Sequence, residues 1–263
     1  YIKSFGFGEK TGIDLAGEGK GILFKPERVG PVELATTAFG QGVSVTPIQQ
    51  VAAVAAAVNG GILYTPYIAK EFVDPVTGEV VSRKTPVEKR RVISEDTSAQ
   101  VRYALESVVA KGSGRHAFVE GYRVGGKTGT AQKVKDGRYM ENNHIVSFIG
   151  VAPADDPQLV VYLAVDNPKG TIQFGGVVAA PIVGNIMEDS LNALGIEKRK
   201  GQIEKELKWP DVPLVEVPDL KGMTRKELLQ QLVTLKLDIS GEGDTVVQQT
   251  PAPGTKVEEG STV

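Results

Sequence analysis

The chain reads as an α+β protein, an antiparallel sheet covered by helices and followed by a small α+β module. Three observations carry this reading. Helix-period apolar stripes flank a central region on both sides. The central region holds short strand-like runs joined by turns, with no helical segment between them, which is the pattern of an antiparallel meander. After Gly195 the composition turns charged, then compact again, in a unit of about 50 residues near the lower limit for independent folding.

The elements follow in order. Thr46 is placed to cap a helix with Pro47 at its first position and Gln49 three residues on, ending at Asn59-Gly60-Gly61. Its Ala/Val composition without charge predicts burial on most sides. Ser94 caps a second helix with Val101, Leu105, Val108 and Val109 on one stripe, stopping near Gly112. A third helix is predicted over 181–194, with Ile182, Val183, Ile186, Met187 and Leu191 on one side. Between the second and third helices, Asp136-Gly137 is a hairpin signal. Strands are predicted at 145–151 (IVSFIGV) and 159–165 (LVVYLAV), separated by a Pro/Asp-rich turn.

Residues 197–208 are charged and lack a sustained apolar face, fitting either a linker or a solvated extension of the preceding helix. The domain division is 1–195, a linker at 196–213 and a module at 214–263. In the module, Thr224 and Glu227 form a capping box for a helix carrying Leu228, Leu229, Leu232 and Leu235, with strands expected near 237–239 and 245–248.

The bulk properties exclude several classes. With 30 basic and 32 acidic residues and a net charge of -2, nothing points to nucleic acid. There are no cysteines, so neither a disulfide scaffold nor thiolate metal ligation is available. No stretch of about 18 apolar residues exists to cross a bilayer. The start at Tyr1-Ile2-Lys3-Ser4, with neither Met nor a signal-peptide core, predicts a piece of a longer chain with any membrane anchor upstream.

One segment carries chemistry, and two chemistries compete for it. Residues 121–128 (GYRVGGKT) fit the phosphate-binding pattern G-x-x-x-x-G-K-[ST], whereas residues 127–130 (KTGT) fit the K-T-G element of penicillin-recognising serine enzymes. A phosphate loop needs a buried strand before it and a helix after it, so that amides converge on the anion. The preceding residues 115–120 make a poor buried strand, and no amphipathic helix follows Thr128. The nucleotide reading keeps one feature, the apolar run 159–166 ending in Asp166, but Asp is a frequent turn starter. The K-T-G reading asks instead for an edge strand in an antiparallel setting. There, Lys127 supplies positive charge beside a serine nucleophile and a substrate carboxylate. Thr128 and Thr130 offer hydroxyls to that carboxylate, and the Thr130 amide donates to an oxyanion. Gly129 lets an extended substrate lie close against the strand.

Longer stretches decide between them. Residues 125–132 (GGKTGTAQ), 144–153 (HIVSFIGVAP), 164–168 (AVDNP), 39–49 (FGQGVSVTPIQ), 5–14 (FGFGEKTGID) and 108–117 (VVAKGSGRHA) together resemble the class B penicillin-binding proteins, over about residues 1–195. Residues 217–223 (VPDLKGM) and 248–263 resemble a PASTA domain, truncated at its last strand. The resemblance implies the C-terminal part of a penicillin-binding transpeptidase fold. It also implies peptidoglycan D,D-transpeptidation through an acyl-serine, with stem peptides as substrate and β-lactams as mimics. No cofactor or metal is implied. The setting would be the extracytoplasmic face of a bacterial membrane, alongside septal or sporulation wall machinery.

The chain departs from the family in one respect. It contains no S-x-x-K, and its S-x-N, Ser190-Leu191-Asn192, follows the K-T-G on a predicted helix. The nucleophile is therefore expected upstream, and these residues alone are expected to be inactive. A non-catalytic wall-binding scaffold is the alternative function. His116 and His144 lack the carboxylate spacing of a metal site and are expected in local hydrogen bonds. Tyr139 and Met140 read as a hairpin tip, and Trp209 as a packing residue between the two units.

Overall fold

The computed structural model describes residues 1–135, 138–206, 214–231 and 235–263. It divides into two units, Tyr1–Lys205 and Glu206–Val263.

The first unit opens with turns and a short helix, α1 (Pro31–Ala38), none of whose residues is buried. Helix α2 (Pro47–Val58) begins with the predicted capping box: Thr46 Oγ1 accepts from the Gln49 amide, and Gln49 Oε1 accepts from the Thr46 amide. The buried Gln49 side chain also donates to the carbonyls of Glu9 (2.7 Å) and Lys20 (3.0 Å), tying the amino-terminal turns to the helix. The expected burial on most sides is only partly found. Gln49, Ala53, Ala56 and Val58 are buried and most of the rest is half-exposed.

Two antiparallel ribbons follow that the sequence did not announce. Strand β1 (Ile62–Thr65) pairs with β4 (Val87–Arg91), and β2 (Glu71–Val73) pairs with β3 (Val80–Arg83). Their side chains are mostly exposed, so no inside/outside alternation marks them. Asp14 anchors this region, accepting from the amides of Ile68 (2.8 Å) and Ala69 (3.2 Å) and pairing with Lys84 Nζ at 2.9 Å. The Lys84 ammonium, then the Ile68 amide, hold the Asp14 carboxyl well below the ordinary carboxylate range. A carboxyl with a depressed folded-state pKa stabilises the fold above its unfolded value and loses that contribution as pH falls toward the folded one. Asp14→Asn is thus expected to lower the melting temperature near neutral pH. The gap from the parent should close on acidification from about pH 5 to about pH 2; melting curves across that range check it.

Helix α3 (Glu95–Lys111) is capped by Ser94, whose hydroxyl accepts from the Thr97 amide. It leads through a turn into the central sheet of β5 (Gly125–Lys135), β6 (Arg138–Ala152) and β7 (Leu159–Asp166), an antiparallel meander in that order. The hairpin residues Asp136-Gly137 lie outside the described residues. A short turn of helix, α4 (Gly175–Val178), precedes α5 (Ala180–Ala193). Helix α5 buries Val183, Met187 and Leu191 but turns Ile182 and Ile186 toward solvent, so its core face is narrower than predicted. It crosses β6 at Gly150, where a Cβ would meet Met187 Cε at 2.8 Å and Val183 Cγ1 at 3.0 Å. The core between helices and sheet is built on Phe148, Met187, Leu191, Val109 and Tyr122.

The stretch after α5 is held on this unit rather than free. The Tyr122 hydroxyl lies 2.8 Å from both Asn192 Oδ1 and the Ile196 carbonyl, and the Arg199 amide donates to the Gly121 carbonyl at 2.8 Å. The Ile203 amide donates to the buried Glu106 carboxylate at 3.1 Å. The first compact unit accordingly runs to Lys205.

In the second unit, the Thr224/Glu227 capping box forms and starts α6 (Arg225–Gln231), with Leu228 and Leu235 buried. The side chains of Leu229 and Leu232, and Trp209 altogether, lie outside the described residues. The strands expected near 237–239 and 245–248 do not form. Thr245 makes a single bridge to Thr224, and the paired strands are instead β8 (Leu214–Glu216) and β9 (Lys256–Glu258). Both segments have neighbours, but each pairing stops at one isolated bridge, Lys236 with Thr262 and Thr245 with Thr224, too short for a ladder. Residues 236 and 238 hydrogen-bond to residues 261 and 263. No described helix is long and apolar enough to cross a membrane.

Candidate functional site

The predicted segment 127–130 lies within β5, an outer strand of the central sheet, with Lys127, Thr128, Gly129 and Thr130 paired to Ile149, Phe148, Ser147 and Val146 of β6. No helix starts there. A phosphate loop would need one, so the nucleotide alternative lacks its anion-binding geometry. An outer strand leaves alternate backbone groups available for an extended partner.

Lys127 is exposed, and its ammonium donates to the Thr128 carbonyl at 2.8 Å. Thr128 Oγ1 lies 3.0 Å from the hydroxyl of Ser113, which follows α3. Thr130 Oγ1 accepts from the Gly175 amide at 3.3 Å. Three segments therefore converge: the end of α3, the middle of β5 and the start of α4. Two glycines allow this. A Cβ on Gly175 would strike the carbonyls of Ser147 and Gly129, and one on Gly176 would strike the Ser113 carbonyl. At Gly129 the crowding neighbour is the Ser147 hydroxyl across the strand pair. His116 Nδ1 lies 2.9 Å from the Gly176 carbonyl and so carries the proton there, while His144 binds Gln173. Tyr139 and Met140 are on β6, Tyr139 exposed. Among the described residues no cluster of His, Asp or Glu could hold a metal.

Gly175→Ala is expected to force the start of α4 off β5. Overpacking of this kind costs about 1–3 kcal/mol. A thermal melt of the variant beside the parent measures it.

The entry to β5 is pinned electrostatically. Glu106 of α3, its side chain 3% exposed, holds Arg123 through a 2.7 Å ion pair, and Asp155 approaches the same guanidinium at 3.4 Å. Hydrogen bonding to Glu106 raises Arg123 above its ordinary range, against the opposing effect of burial. Burial pushes Asp155 upward, yet hydrogen bonds from its own backbone and from Arg199, with the charges of Arg123 and Arg199, leave it lowered overall. Gly125 lies directly under α3, where a Cβ would approach the Glu106 amide at 3.1 Å. Ser113, Gln173 and Glu106 were not singled out from sequence. The one available signal was the Gly175-Gly176 pair ahead of an apolar helix, which marks a close backbone approach.

Comparison with known proteins agrees with this arrangement. The family profile for the penicillin binding protein transpeptidase domain matches residues 1–188, and that for the PASTA domain matches residues 215–263. The chain is 72% identical over 263 residues to "Stage V sporulation protein D" of Bacillus subtilis (strain 168), covering all of this chain and 41% of that protein. It is 37% identical over 195 residues to "Peptidoglycan D,D-transpeptidase FtsI" of Escherichia coli (strain K12), covering 73% of this chain and 31% of that protein. The chain thus spans less than half the length of these relatives. Among solved structures, penicillin binding protein 3 from Mycobacterium tuberculosis complexed with ampicillin superposes with a TM-score of 0.68 at 30% identity, over 79% of this chain and 48% of that one. The apo transpeptidase domain of Burkholderia pseudomallei penicillin-binding protein 3 gives 0.66 at 33% identity, over 76% and 58%. With an antiparallel sheet bearing K-T-G-T on its outer strand and a family match across most of its length, the chain belongs to the penicillin-binding protein transpeptidase family and carries a PASTA domain after it.

Proposed function

We propose that the full-length protein is a serine-type peptidoglycan D,D-transpeptidase that cross-links stem peptides and is acylated by β-lactams, and that this chain supplies one wall of its site. The observation that carries the reading is the outer strand presenting Lys127, Thr128 and Thr130 around which Ser113 and Gly175 converge. The nucleophilic serine comes from a part of the protein outside these residues, because no S-x-x-K occurs in them.

In this reading the D-Ala-D-Ala end of a stem peptide lies antiparallel along β5, and the serine hydroxyl attacks the penultimate carbonyl. The Thr130 amide donates to the developing oxyanion. The Lys127 ammonium favours the anionic nucleophile and the terminal carboxylate, to which Thr128 and Thr130 also donate. The terminal D-alanine leaves, and an amine of a neighbouring stem takes the acyl group. Such chemistry places the protein on the extracytoplasmic face of a bacterial membrane. Identity of 72% to a Bacillus subtilis sporulation protein, against 37% to the Escherichia coli FtsI enzyme, favours wall synthesis during sporulation over septation. The domain division that goes with this function is a transpeptidase portion at 1–195, a connecting segment and a PASTA module from 214.

Fluorescent penicillin tests the reading. The full-length protein is expected to label covalently and to release D-alanine from a stem pentapeptide, whereas this chain alone stays unlabelled. A full-length protein that neither labels nor releases D-alanine would favour the wall-binding scaffold.

A further inference from the structure

The loop between β7 and α4 is tied at both ends to one residue. At its start, the Asn167 amide donates to the His144 carbonyl at 2.8 Å. At its end, Gln173 Oε1 accepts from the His144 amide at 3.0 Å and from its ring Nδ1 at 2.8 Å. Gln173 Nε2 donates to Asn167 Oδ1 at 3.2 Å and to the Pro168 carbonyl at 3.0 Å. The orientation of the amide is not arbitrary. A backbone N–H only donates and a backbone carbonyl only accepts, so the oxygen must face His144 and the nitrogen must face Pro168. The side chain thereby makes four hydrogen bonds, while residues 169–172 and Phe174 are exposed.

What this clamp holds in place is the next buried residue, Gly175, whose amide donates to Thr130 Oγ1. That bond has a directional consequence. The Gly175 amide makes Thr130 Oγ1 an acceptor on one side, and among the described residues the hydroxyl has no other partner. Its own proton is then free to donate outward, to an anion lying along β5.

We propose that Gln173 is a positioning residue for the β5 site: by closing loop 167–174 on His144 it seats the Gly175 amide on Thr130 and so aims the Thr130 hydroxyl at a ligand carboxylate. This rests on the transpeptidase reading above. Gln173 touches no ligand; it acts through Gly175 and Thr130.

The test uses the full-length protein and a penicillin in two forms, the free acid and its methyl ester, which lacks the anionic carboxylate. In Gln173→Met the acid-to-ester ratio of acylation rates is expected to fall about tenfold, the scale of one hydrogen bond to a charged group. Gln173→Glu keeps both bonds to His144 and loses both donations, so it should fall in between. In a Thr130→Val background, Gln173→Met should leave the ratio unchanged, because the hydroxyl it orients is gone. Equal slowing of acid and ester, or an undiminished effect in the Thr130→Val background, would overturn the proposal and leave Gln173 a loop-folding residue. A parent protein acylated by neither form would instead sink the transpeptidase reading, and the proposal with it.

Discussion

Replacing Lys127 by alanine is expected to slow acylation of the full-length protein by penicillin about 10²–10³-fold, the usual cost of deleting one preorganised electrostatic group from a transition state. Folding should hardly change. Lys127 is exposed on an outer strand and, among the described residues, bonds only to its own strand at the Thr128 carbonyl and hydroxyl, and such surface substitutions fall within about 0.5 kcal/mol. The two readouts therefore separate. Lys127→Arg should not restore the rate, because a planar guanidinium fork cannot occupy the place of a compact ammonium. Single-turnover acylation with a chromogenic β-lactam measures the first effect, and a thermal melt measures the second. A Lys127→Ala protein that acylates at the parent rate would remove the lysine from the chemistry.

The second large effect is one of stability. Arg123→Leu leaves the Glu106 carboxylate buried and without its guanidinium partner, and breaking one side of a buried pair costs about 3–5 kcal/mol. Arg123 is itself 27% exposed, so the lower end is expected, about 3 kcal/mol. Removing both charges together, as Glu106→Gln with Arg123→Met, should recover most of the loss, since an uncharged pair leaves no stranded carboxylate. Denaturant unfolding of the single and double variants gives the numbers. If Arg123→Leu unfolds at the parent midpoint, the ion pair does not fasten α3 to the entry of β5.

How far the sequence led depended on the range of the forces involved. The meander of β5, β6 and β7 was legible because turn residues and apolar runs of the right length are local signals, and 127–130 fell on a strand as its context implied. The α2 cap was legible for the same reason, since Thr46 and Gln49 meet three residues apart. Gln173 was not, because its partners include His144, 29 residues away, and nothing in the residues near 173 signals that meeting. Glu106 reads from sequence as one more charge on a helix. Only the fold brings Arg123 and the Ile203 amide to it. The ribbons of β1 to β4 were invisible because exposed strands show no alternation. In the C-terminal unit, residues 245–248 have strand-forming side chains but find only one bridge.

The claim at the centre is that this chain forms the lysine-bearing wall of a penicillin-binding site while another part of the protein brings the nucleophile. Mapping the acylated serine tests it most directly. Digestion of the penicillin-treated full-length protein and mass spectrometry of its peptides should place the adduct on a serine outside these 263 residues. An adduct on one of this chain's own serines, such as Ser113 beside Thr128 or Ser147 opposite Gly129, would contradict the account.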